Sequence, residues 1–160
     1  MTNAFNPELF LNTTINDANS TEVLQVPPGE YRAVSSGVGP QSFSAFPIKR
    51  GDRAGETFYR LDVEWTIDDP EGKLKEFLGR EPKVRQGIPL DISKDGTIDM
   101  GKGRNVGLGR LRSALNQNTN GKPWSMSQLG GQVAKIQVKH NLDENTGRTH
   151  VDVADVAKAY

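Results

Sequence analysis

The chain has 160 residues, with twenty Lys and Arg balanced by twenty Asp and Glu, a length that suits one domain burying roughly two-thirds of its unfolded surface. The absence of cysteine excludes disulfides and thiolate metal sites and suits a reducing compartment. No apolar run approaches the ~20 residues of a bilayer-spanning helix, and MTNAFNPELF lacks the basic-then-apolar pattern of a secretory signal.

The neutral total conceals an uneven distribution. Residues 1–30 hold Glu8, Asp17, Glu22 and Glu30 and no Lys or Arg, whereas residues 79–139 hold eleven Lys and Arg against four acids. Asymmetry of this kind speaks to partners rather than to fold; the bland alternative is a solvated basic face.

Residues 1–26 read as an acidic arm, rich in Asn, Thr and Ser, in which only Phe5, Leu9, Phe10, Leu11 and Ile15 can act as anchors. Pro27-Pro28-Gly29 separates it from a single domain over 27–160. Tyr31, Ala33 and Val34 mark a first strand within 30–38. The stretch 37–56 carries four Gly, two Pro and no clear period, and is expected to be an irregular loop of a length that is often functional. The clearest strand follows over 58–67. There Tyr59, Leu61, Val63, Trp65 and Ile67 face a core, and Phe58, Arg60, Asp62, Glu64 and Thr66 face away.

Asp68 to Gly72 is a turn, with Asp69 held extended by Pro70, and a short helical piece is expected over 74–78. A third strand spans 84–92, with Val84, Ile88, Leu90 and Ile92 in phase; Pro89 within it points to a sheet edge or a bulge. Asp95-Gly96 signals a turn. Then comes MGKGRNVGLGRLRSAL, residues 100–115, with four cations (Lys102, Arg104, Arg110, Arg112), four glycines and no acid. Leu108, Leu111 and Leu115 form a helical stripe, with Asn105 as the expected N-cap. Two glycines weaken such a helix by about 1 kcal/mol each, so tertiary packing or function must offset them. One more helical turn is expected over 124–129, a fourth strand over 133–140 and a fifth over 148–154, joined by a hairpin connection at 141–147.

The result is a mainly β chain with one principal helix: five strands, with the helix between the third and fourth. That order is the order of an OB-fold barrel, whose helix closes the barrel between strands three and four and whose loops after strands one and four frame the binding face.

Enzymatic chemistry is thinly represented. His140 and His150 are expected near one another across the last hairpin, but with Asp152 they fall short of a metal site, and no cofactor is expected. Asp62, Glu64, Asp68 and Asp69 suit the outer face of a strand and its turn better than the carboxylate cluster of a two-metal nuclease. GKGRNVGLG is not a P-loop, since GxxxxGK[ST] is missing, and Val106 occupies the third glycine position of the dinucleotide fingerprint.

Three features point to single-stranded nucleic acid. Cations recur on outward positions: Lys83 and Arg85 on the third strand, Lys135 and Lys139 on the fourth, and Lys102, Arg104 and Arg110 around the helix start. Salt-dependent phosphate contacts would follow. Phe43 and Phe46 lie close to Lys49 and Arg50, and Phe58 sits beside Arg60 on the polar side of its strand. A positive groove with stacking aromatics is how single strands are held, although Phe43 and Phe46 could equally fold back as loop anchors. Trp124, beside Lys122, either stacks a base or plugs one end of the barrel.

The run VRQGIPLDI…DGTIDMGKGRNVGLGRLRSALNQN…GKPWSMSQLGGQVAKIQVKH, preceded by PPGEY, resembles small proteins of tailed phages and prophages described as single-stranded DNA-binding proteins with an OB-like barrel. The resemblance covers 30–157. It implies a non-enzymatic protein that coats single strands with little sequence preference during phage DNA replication or recombination, in the cytoplasm of an infected bacterial host. Phage or host replication proteins and a second copy of the chain are further implied partners; a membrane is not. The alternative is a virion component or regulator using the same barrel to bind protein. One departure stands out: the chain ends VDVADVAKAY, without the acidic tail by which many such proteins recruit partners.

Overall fold

A computed structural model describes residues 4–159. Its elements are α1 (Pro7–Leu11), β1 (Gly29–Ser35), β2 (Phe43–Pro47), β3 (Thr57–Ile67), α2 (Lys73–Leu78), β4 (Lys83–Leu90), α3 (Val106–Ala114), β5 (Val133–Leu142) and β6 (Thr149–Lys158), with 3-10 turns at Pro40–Ser42 and Met126–Leu129. No helix among the described residues is long and apolar enough to cross a membrane.

Alternation in β3 organises the fold. Leu61, Val63, Trp65 and Ile67 are buried, while the intervening residues stay half-exposed. One side of β3 pairs with β4, from Tyr59 opposite Leu90 to Thr66 opposite Lys83. Its other side is shared. β2 takes the first half, with Phe46 opposite Phe58, and β1 takes the end, with Ala33 opposite Ile67. β1 also pairs with β5, and β5 with β6 across a bulge at Gln137/Val138. All pairs are antiparallel, in a six-stranded open sheet ordered β4-β3-β1-β5-β6 with β2 beside β1 on β3. The end strands β4 and β6 come within 8 Å between Cα atoms without hydrogen-bonding into a ladder.

The core lies on the inner face. Trp65, Leu61, Ile88, Leu111, Leu129 and Ile136 are its largest fully buried side chains. The Trp65 indole N–H donates to Gln86 Oε1 at 3.0 Å, which satisfies the one polar atom that the ring brings inside. Helix α3 packs against β4 and β6 at one end of their seam and buries Leu108 and Leu111. A Cβ on Gly107 would lie 3.4 Å from Ile88 Cγ2, in van der Waals contact, so this turn of the helix sits directly on β4.

Several expectations need correction. The sheet has six strands, not five, and is open. The stretch 37–56 is not irregular throughout, because it contains β2. That strand escapes a period-two reading because Ser44, Ala45 and Pro47 dilute its two aromatics; its pairing with the long β3 is what makes it a strand. Tyr59 is in phase with the core face yet 38% exposed, because it lies beyond the packed interior. β6 runs on to Lys158 rather than ending at Ala154. Within the arm, Pro7–Leu11 forms a single helical turn, capped by Asn6 Oδ1 accepting from the Glu8 and Leu9 amides. Its last residue, Val26, is buried in the core.

The connection from α3 to β5 is strapped to the end of β1. Ser35 Oγ donates to the Leu129 carbonyl and accepts from the Gln132 amide at 3.0 Å. A Cβ on Gly130 would come 2.9 Å from the Gly37 Cα, and backbone there cannot swing aside. Gly130→Ala is therefore expected to cost about 1–3 kcal/mol, as overpacking does. Urea denaturation measures this, and an unchanged midpoint would refute the close approach.

Candidate functional site

The pairing of β2 with β3 places Phe46 opposite Phe58 on the outer face. Their rings stack with centroids 6.5 Å apart and planes 27° from parallel. Arg60, two residues further along that face, holds its guanidinium 5.1 Å from the Phe46 centroid and its Nε 2.7 Å from Asp62 Oδ1. Both of these last atoms are withdrawn from solvent and, close as they are, not aligned as a hydrogen bond; the bond is made by Arg60 Nη2, which donates to Asp62 Oδ2 at 3.2 Å. Gly87 stands opposite Asp62; a Cβ there would lie 3.0 Å from Arg60 Cδ, so its bare backbone gives the arginine room to lie across β4. The result is an aromatic platform with a cation fixed at its edge and Phe46 still 42% exposed. Phe43 is not part of it. It pairs with Leu61 and so points to the opposite side of the sheet.

The candidate cations divide into two groups. Arg60 pairs with Asp62, Lys83 with Glu64 at 3.6 Å and Glu81 at 3.9 Å, and Arg104 with Asp91 at 3.9 Å and Asp99 at 3.7 Å. Lys49, Arg50, Arg85, Lys102, Arg110, Lys135 and Lys139 make no ion pair among the described residues and are exposed. Lys49 and Arg50 follow β2 in the connection to β3, just past Phe46, and Arg85 stands on the outer face of β4 opposite Glu64. Lys135 and Lys139 share the outer side of the sheet but lie on β5, which β1 separates from β3, roughly 10 Å along the sheet at normal strand spacing. Arg110 lies on α3.

The Lys102–Arg104 loop is tied to the platform's corner. Tyr59 opposite Leu90 is the last rung of the β3–β4 ladder, and Asp91, the next residue of the chain, is where the loop is fastened. Asn105 occupies the N-cap position of α3, but its side chain does not cap. The residue is left-handed at φ 53° and 9% exposed. Its Oδ1 accepts from the Asp91 amide at 2.8 Å, and its Nδ2 donates to the Asp91 and Asp99 carbonyls, both at 2.9 Å. Its own amide donates to Asp91 Oδ2 at 2.8 Å. Asn105→Ala would orphan the Asp91 amide and the Asp99 carbonyl, the Asp91 carbonyl keeping the Asp99 amide at 3.0 Å, and would keep a side chain in the left-handed region, so it should cost about 2–3 kcal/mol and loosen the loop. Denaturant titration together with amide exchange over 99–105 tests this; unaltered exchange would contradict it.

Two concavities flank these elements. A groove of about 520 Å³ lies where β4 and β6 begin, between Lys83, Arg85 and Gly87 on one side and His150 and Asp152 on the other, with Arg60, Asp62 and Arg80 also lining it. A cavity of about 1010 Å³ lies beside α3 and takes in Arg104, Arg110, Trp124 and the end of β6. Trp124 is half-buried, lies 4.1 Å beneath the Arg112 guanidinium and donates to Gln117 Oε1 at 2.9 Å. Lys158 also lines this cavity. Nothing local in the sequence marks it, because it arrives there only through the full length of β6.

The other chemistry-bearing residues are engaged elsewhere. His140 lies opposite Val151 and His150 opposite Asn141, so these successive rungs point to opposite faces. His140 Nε2 meets the Val26 carbonyl at 2.7 Å, whereas His150 lies 3.8 Å from Asp143. Asp69 accepts from the Leu74 and Lys75 amides at the start of α2. Among the described residues, no three His, Asp or Glu gather as a metal-holding group. No family model matches the chain, and no curated protein matches it.

Proposed function

We propose that the chain binds single-stranded DNA, without catalysis and with little sequence preference, on the outer face of β3 and β4. The Phe46–Phe58 stack, with Phe46 exposed and Phe58 half-buried, edged by Arg60, carries this reading, because such a platform offers π-faces that any base can cover. Lys49 and Arg50 on one flank, Lys102 at the corner and Arg85 along β4 are exposed and make no ion pair among the described residues, which leaves them open to phosphates. Arg104, Lys83, Lys135, Lys139 and Arg110 stand around this face as secondary contacts.

We read the sheet as an OB-like barrel with an unzipped seam. Setting β2 aside, the strands run third, second, first, fourth, fifth across the sheet, the end strands approach each other, and a helix between the third and fourth packs at the seam's end. This order supports the OB reading; in OB barrels the faces of strands two and three bind oligonucleotides. The resemblance to phage proteins supplies the setting: coating of single strands during replication or recombination in an infected bacterial cell.

Ultraviolet cross-linking of the protein to oligo-dT, read by mass spectrometry, tests the location. Adducts are expected on peptides holding Phe46 and Phe58. Adducts confined to other surfaces, or none, would overturn the assignment.

A further inference from the structure

We propose that the cavity beside α3 receives the N-terminal arm of a second copy of this chain, with the two arms exchanged reciprocally in a dimer. The proposal does not rest on DNA binding, although Arg104 and Arg110 also line this cavity. Four observations carry it.

The cavity is large and two-toned. At about 1010 Å³ it stands at the top of the range for small-molecule pockets, about 300–1,000 Å³, so it suits a segment of several residues. Its floor is apolar, made by Ile98, Trp124, Met126 and Val156, with Met100, 81% exposed, at its mouth. Its rim is basic, with five Lys and Arg against Asp99 and Asp155.

The arm is the complement in both respects. Phe5, Leu9, Phe10, Leu11 and Ile15 are each at least 61% exposed, a concentration of unburied apolar side chains that marks an interaction site. The described arm also carries Glu8, Asp17 and Glu22 and no cation. A nucleic acid strand would satisfy the basic rim but has no use for the methionine and isoleucine floor, so a peptide is favoured.

Among the described residues, the arm is hydrogen-bonded to the domain only at its root. Arg80 donates to the Leu24 carbonyl at 2.8 Å, Gln25 Nε2 to the Thr149 carbonyl at 3.1 Å, and Val26 is buried. None of residues 4–24 lines the chain's own cavity.

The spacing allows exchange. The root sits where β6 begins, at Thr149, and the cavity includes the end of β6, Asp155 to Lys158, roughly 20–30 Å away along the strand. The residues between Leu11 and Leu24 span at most about 45 Å when extended, enough to carry α1 across a two-fold interface. Reciprocal insertion closes the assembly at two copies.

Sedimentation of the full chain over a concentration series, without DNA, tests the proposal. A monomer–dimer equilibrium that weakens with salt is expected. Leu9→Asp combined with Phe10→Asp should give monomers with an unchanged circular dichroism spectrum, since neither side chain belongs to the core. Lys122→Glu on the rim should weaken association about tenfold or more. A photoreactive group replacing Phe10 should label the 122–126 region of the other chain in a mixture of isotopically light and heavy protein. A monomer at every concentration, a dimer that survives the arm variant, or labelling confined within one chain would each overturn it.

Discussion

Alanine at both Phe46 and Phe58 is expected to weaken binding of oligo-dT by about 30-fold or more. Each base stacked on an aromatic ring contributes about 1–3 kcal/mol, and two rings at the lower figure already give about 2 kcal/mol, or a factor of about 30. The stack is cross-strand and partly open to solvent, so truncating it leaves the buried core in place and the loss reads as recognition rather than unfolding. Tyrosine at either position keeps the π-face and should retain most of the affinity. Phe43→Ala is the internal control: it is equally exposed but lies on the other side of the sheet, and its removal should leave affinity nearly unchanged. Fluorescence anisotropy with labelled oligonucleotide decides between these outcomes. Equal losses at Phe43 and at the stacked pair would show that exposure alone, not the platform, governs binding.

Replacing Trp65 by alanine should be the most damaging core substitution, costing about 3–5 kcal/mol. The ring is wholly buried in the centre of β3, and its removal opens a void that the flanking strands cannot close without disturbing both ladders. It also strips Gln86 Oε1 of its donor. Against a typical domain stability of about 5–15 kcal/mol, such a loss takes much of the margin. Trp65→Phe fills most of the space and should lose much less, the residue being chiefly the unmet acceptor, about 1–2 kcal/mol. Urea denaturation monitored by circular dichroism measures both. A Trp65→Ala cost below about 1 kcal/mol would mean that the inner face of β3 is not the centre of the core.

Much of the scaffold was legible because it rests on local periodicity. The alternation in β3 separated buried Leu61, Val63 and Trp65 from outward Phe58, Arg60 and Asp62. The Leu108–Leu111 stripe located α3, and Pro89 marked β4 as a strand paired on one side only. What stayed hidden depends on partners distant in sequence. β2 is a strand because β3 overhangs β1 and offers it an edge, and no pattern within FSAFP says so. Asn105 has the identity of a cap, but its carboxamide is claimed by Asp91 and Asp99 through a loop whose closure only the fold reveals. Exposure of Phe46 and Phe58 was readable as candidacy; the opposite orientation of Phe43 required the register. The same is true of charge. Lys83, Arg85 and Arg104 look alike in the sequence, and only cross-strand and loop neighbours separate paired Lys83 and Arg104 from unpaired Arg85.

The central claim is that the β3–β4 face holds a single strand through stacked bases and unpaired cations. A salt series with labelled oligo-dT and a duplex of equal length tests it most directly. The single strand should bind more tightly, and the logarithm of its affinity should fall against the logarithm of salt with a slope of about −3, from roughly 0.7 per phosphate for the four free cations Lys49, Arg50, Arg85 and Lys102. Absence of binding at the lowest salt, or equal affinity for the duplex, would contradict it.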